Sequence, residues 1–101
     1  MTLQSDLNET KTSVSQLCIK AFSIYDYSQL SELQEELSDG AKQPILIIRI
    51  TPLLLKEPEE GRRLIDNLYS TAMENNYSVF RLGEERIIVV PYNVQVERRS
   101  V

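Results

Sequence analysis

The chain offers few side chains able to make or break covalent bonds. It contains no histidine, which removes the commonest metal ligand and the commonest proton carrier near neutral pH. Its single cysteine, Cys18, sits in "QLCIKAFSI", where apolar residues alternate along a strand. That setting suits packing better than nucleophilic attack. Gly40, Gly61 and Gly83 stand far apart, so no glycine-rich loop is available to cradle a phosphate. The groups best placed for recognition are Arg81 and Arg86, which flank a Gly-Glu-Glu corner in "RLGEERIIVVPYNV". Each guanidinium is a forked donor suited to a carboxylate. These residues describe a binding protein, not an enzyme, with no cofactor and no metal.

The elements that position those arginines follow from pattern and punctuation. A first strand is expected from Gln16 to Ile24. Asp26 and Gln29 have capping-box spacing, and Leu30, Leu33 and Leu37 recur at helical intervals, which predicts a helix from Tyr27 to Asp39 stopped by Gly40. "PILIIRI", from Pro44, is apolar except for Arg49 and reads as a strand buried on both faces. "TPLLLKEP", with two prolines, reads as a loop.

Pro58, Glu59 and Glu60 suit the first turn of a second helix. Leu64, Ile65, Leu68, Ala72 and Met73 give it an apolar stripe, and Arg62 and Asp66 have the spacing of an ion pair. Gly61 within that helix is expected to cost about 1 kcal/mol against alanine. Asn75 and Asn76 tolerate the left-handed turn that would end it. Strands Tyr77–Leu82 and Arg86–Val90 follow, with a short fifth strand over Asn93–Glu97.

The expected fold is therefore an α/β two-layer sandwich of order β-α-β-α-β-β(-β). Two helices cover one face of a four- to five-stranded mixed sheet. "ILIIRI" and "RIIVV" are apolar on both sides, so the second face also needs a cover. A second copy of the chain is the simplest one, which predicts a homodimer.

Composition narrows the partners. A chain of 101 residues holds one domain, expected over residues 16–97 between a polar tail (1–15) and a short terminal tail (98–101). A domain this small buries about 60–70% of its unfolded surface, so association adds core that the monomer lacks. The net charge of −4 opposes nonspecific nucleic-acid binding, whose affinity comes from neutralising phosphates. No secretory signal or membrane-spanning run is legible, and the lone cysteine fits a reducing cytoplasm.

The order of pieces from Lys20 to Glu97 resembles the carboxy-terminal domain of SepF, a cell-division protein that anchors FtsZ. The pieces are "YSQLSELQEELSDG", "ILIIRIT", "RRLIDNLYSTAM", "VFRLGEERIIVVP" and "NVQV". "ITPL" and "GEERI" are similar to the archaeal branch of that family. The resemblance implies a dimeric adaptor, capable of higher polymers, at the division site on the inner face of the cell membrane. It would bind the carboxy-terminal tail of FtsZ during septation and tether its filaments. The family's basic residue before the glycine corner falls on Arg81. Its apolar contact on the next strand falls on Ile87, here expected to be partly exposed.

Two departures stand out. Many members carry paired glycines at a self-association face, where this chain has Asn75 and Asn76, with Val79 nearby. The family generally begins with an amphipathic membrane helix, whereas only Met1, Leu3 and Leu7 are large and apolar among the first thirteen residues. An interfacial helix normally has more apolar area and a basic face, although two or more copies together would add avidity. The same element order also occurs in nucleic-acid-binding domains of the Alba type and in dimeric small-molecule sensors. The acidic "GEE" tip argues against the first, and the second needs a polar site between subunits that no motif reveals.

Overall fold

The computed structural model describes residues 17–40 and 42–97. Strand β1 (Ile19–Ser23) leads through a 3-10 turn (Tyr27–Gln29) into helix α1 (Leu30–Ser38). Strand β2 (Ile45–Arg49) follows, then helix α2 (Thr51–Lys56) and helix α3 (Pro58–Glu74). The hairpin of β3 (Tyr77–Leu82) and β4 (Arg86–Pro91) completes one sheet of order β1-β2-β4-β3. β1 and β2 pair in parallel, while β4 runs antiparallel to both its neighbours. All the helices lie on one side, which gives the two-layer α/β sandwich expected from the sequence.

Local chemistry explains the boundaries. Asp26 accepts a hydrogen bond from the Ser28 amide at 3.0 Å, and the Gln29 side chain accepts one from the Asp26 amide at 3.0 Å. This reciprocal box satisfies amides that a helix start leaves without partners. Leu30, Leu33 and Leu37 then face the core as one stripe. At the far end of α3, Asn76 adopts φ 63°, the left-handed turn expected of it.

β2 is central, as its apolar character requires. Leu46 and Ile48 are fully buried under the helices beside Ile87 and Val89 of β4. Leu53, Leu64, Leu68 and Ala72 close that core from above. One side-chain bridge ties sheet to helices, Lys20 of β1 donating to Glu36 of α1 at 2.9 Å, and another joins two helices, Gln34 of α1 donating to Thr71 of α3 at 3.0 Å.

Four local expectations change, the first being that Met73, expected in the apolar stripe of α3, is 73% exposed. "TPLLLK" is a helix instead of a loop, because Pro52 falls in its first turn, where no amide is needed, and Leu53 inserts into the core. Residues 93–97 form no strand, so the sheet has four strands among the described residues. The ion pair on α3 joins Glu60 to Arg63 at 3.0 Å, in place of the expected Arg62–Asp66 pair.

Gly61 is also better placed than its helix propensity suggests. It is where α2 and α3 touch: a Cβ there would lie 2.6 Å from Leu54 Cδ2 and 3.2 Å from the Leu54 Cα. Gly61→Ala should therefore destabilise the fold. Overpacking of about 1–3 kcal/mol outweighs a propensity gain of about 1 kcal/mol. Chemical denaturation checks this, and a raised midpoint would mean that α2 swings away freely.

Candidate peptide-binding face

Strand alternation divides the sheet's side chains into two sets. Beneath the helices lie Lys20, Phe22, Leu46, Ile48, Ile87, Val89, Tyr77, Val79 and Arg81, as the registers and burial require. The opposite face, which no helix covers, carries the alternate residues in cross-strand rows. Ala21, Ile47, Ile88 and Phe80 form one row, apolar across all four strands. The next row is Ser23, Arg49, Arg86 and Leu82. Ile47, Ile88 and Phe80 are half-buried, Ala21 is exposed, and Leu82 keeps 42% of its surface accessible. Val90 belongs to this face by alternation, yet is buried outside the main core cluster.

A shallow cavity of about 190 Å³ opens on this face, lined by Ala21, Phe22, Ser23, Ile47, Arg49 and Arg86. Arg49 and Arg86 are direct cross-strand partners, and like charges so placed repel. Among the described residues the ion pairs are Lys20–Glu36 and Glu60–Arg63, so neither arginine is matched with a carboxylate.

The residues singled out by sequence fall differently. Arg81 is half-buried on the helix side of the hairpin end, where its Nη2 donates to the Glu84 carbonyl at 3.3 Å. Its Nε is buried without an acceptor, an arrangement that leaves a charged donor unsatisfied. Ile87 stands opposite Arg81 but has 0% exposure, packed in the core. The expected partly exposed contact does not exist in the chain alone, because alternation turns Ile87 inward and Arg86 and Ile88 outward.

Asn75 and Asn76 sit at the α3–β3 junction, with Asn75 half-buried and Asn76 exposed. The Asn75 side chain donates to the Thr71 carbonyl at 2.8 Å. Val79 packs partly buried against the core. Met1, Leu3 and Leu7 lie outside the described residues.

In the sequence Arg49 shows only as a break in an apolar run. Its signal is parity: Arg49 lies two residues from Ile47, and therefore on the same face.

The groups with displaced pKa values sit in structural contacts. Hydrogen bonds from Ser28 hold the Asp26 carboxyl below its ordinary range. The bond to Glu36 raises Lys20, and burial raises Tyr77. No cluster of three or more His, Cys, Asp or Glu side chains able to hold a metal occurs among the described residues. No helix among them is long and apolar enough to cross a membrane.

Comparison with solved structures places this arrangement. A SepF-like protein from Archaeoglobus fulgidus superposes with a TM-score of 0.70 at 19% identity, covering 84% of this chain and 98% of its own. The fold is that of the SepF-like proteins. A SepF-like protein from Pyrococcus furiosus agrees, with a TM-score of 0.62 at 24% identity over 81% of this chain and 95% of its own. No protein-family model matches the sequence, and no curated protein matches it. The SepF-like fold thus accounts for nearly the whole length of both neighbours, and both are archaeal, the branch that "ITPL" and "GEERI" resemble.

The buried position of Ile87 has a measurable consequence. Ile87→Ala should lower folding stability by about 2–5 kcal/mol, as for a core truncation, while Ile88→Ala on the open face should cost the isolated chain clearly less. Paired urea melts at a concentration low enough to keep the chain monomeric compare them, and equal losses would contradict the assignment of the two faces.

Proposed function

We propose that the protein is a non-enzymatic cell-division adaptor of the SepF type, which binds the carboxy-terminal tail of FtsZ and tethers or organises its filaments at the membrane. The observation that carries this reading is the shared fold, which runs almost end to end in both archaeal neighbours. The hairpin supports it further. Arg81 has a buried Nε in want of an acceptor at the corner where the family's tail contact falls. A tail carboxylate would supply that acceptor, and a charge-assisted bond of this kind is among the stronger ones available. Ile87 would act from below, as the packed floor that holds Arg81 in place across the strand pair.

Pairing of two chains belongs to the same proposal. The apolar row Ala21, Ile47, Ile88 and Phe80 is the natural contact for a second copy, because covering it removes apolar surface from water on both chains. Asn75, Asn76 and Val79 would then lie away from that contact, near the end of α3, where further copies could add. Membrane attachment through Met1, Leu3 and Leu7 would gain from doubling, since each tail alone offers little apolar area. The Alba-type reading is disfavoured by the acidic tip Glu84–Glu85 and the net charge of −4.

Titration with the FtsZ tail peptide of the same organism should give saturable binding, weakened by about 1 kcal/mol or more in Arg81→Glu. An absence of binding to the parent protein would overturn the adaptor reading, and equal affinities would remove Arg81 from it. Sedimentation at micromolar concentration should give a dimer that Ile88→Asp converts to monomer. A monomeric parent would sink the proposed pairing.

A further inference from the structure

The row Ser23, Arg49 and Arg86 lies on the open face, away from the Arg81 corner. It combines three features that the fold alone does not require. First, two guanidinium groups face each other across β2 and β4 with no carboxylate between them. Such a like-charge pair opposes folding. Second, the pair borders a cavity of about 190 Å³, with the Ser23 side chain on its β1 side and Ala21 and Ile47 as apolar lining. Third, the neighbouring open-face row, Ala21, Ile47, Ile88 and Phe80, is wholly apolar, so it offers the pair no carboxylate.

A second copy laid sheet to sheet would therefore bring further arginines and, from these rows, no carboxylate to match them. Burying unmatched guanidinium groups is costly, so the row is better placed at the rim of such a contact, beside the exposed Glu84–Glu85 corner and open to another ligand.

We infer that Ser23, Arg49 and Arg86 form a second recognition site, which takes the carboxylate of an acidic peptide and seats a neighbouring apolar side chain against Ala21 and Ile47. Two forked donors on adjacent strands match the planar, two-oxygen geometry of a carboxylate. The apolar lining favours an amphipathic peptide over a bare anion. The chain's net charge of −4 opposes long-range attraction to polyanionic surfaces, whereas one carboxylate needs only local charge. The site does not rest on the adaptor reading, because it uses neither Arg81 nor an FtsZ tail.

The test is an NMR titration of the full chain with N-acetyl-Leu-Glu-Leu-Glu-amide. The expected result is saturable shifts centred on Ser23, Ile47, Arg49 and Arg86. Affinity should fall about tenfold in Arg49→Gln or Arg86→Gln, with no change in Arg62→Gln on the outer side of α3. The glutamine version of the peptide should lose binding to the same extent. A second readout separates binding from folding: Arg86→Gln should raise the thermal midpoint of the free protein by relieving repulsion while weakening the peptide. The inference is overturned if the parent shows no saturable shifts, or if the glutamine peptide binds equally. Equal displacement by inorganic phosphate, or equal binding to phosphatidylglycerol vesicles, would overturn the choice of a peptide carboxylate.

Discussion

Leu46 and Ile48 of β2 meet Ile87 and Val89 of β4 at the floor of the core, and the other elements are arranged around that contact. The four side chains are fully buried, and removing any one would leave a void that neighbouring strands cannot close. Helices α1 and α3 are held over them by leucine stripes at 3.6-residue spacing. The parallel strand β1 pairs with β2 as its one strand neighbour and is tied to α1 by the Lys20–Glu36 bridge. Since β2 and β4 alternate apolar residues on both sides, satisfying one face leaves the other exposed. The open apolar row is a direct outcome of how the core is built.

That constraint also sets the character of the hairpin. β3 and β4 meet at a corner that carries Arg81 towards the helix side and Arg86 towards the open side. The two arginines stand five positions apart in sequence, yet serve different layers. One is packed around an unsatisfied Nε and a carbonyl of its own turn. The other stands in solvent beside a second guanidinium. Similar residues near one corner acquire different chemistry because strand parity assigns them different neighbours.

Much of the fold was legible because local signals agreed with tertiary demands. The Asp26–Gln29 box, the leucine stripe of α1, the central position of "ILIIR" and the left-handed Asn76 all rest on short-range rules. What was not legible depended on contacts distant in sequence. Helix α2 forms from a proline-containing segment because Leu53 finds a buried place, which no local pattern states. Gly61 looked like a weakness until the approach of Leu54 gave it a reason. For the candidate site, Arg86 was visible beside the corner, but its pairing with Arg49 needed the register of β2 against β4. Ile87 was misjudged because an all-apolar strand does not reveal which parity faces inward.

The three-residue corner Gly83–Glu85, with Gly83 at φ 68°, decides that parity. A strand shifted by one residue turns every side chain to the other face. Such a slip in β4 would carry Arg86 beneath the helices and lift Ile87 out. The arginine row thus opposes that slip, since the wrong register would carry an exposed guanidinium beneath the helices, where burial is costly. A charge on one strand would suffice for that duty. Two of the same sign, set face to face, give the sheet an unambiguous outside and leave that outside in need of a counter-charge.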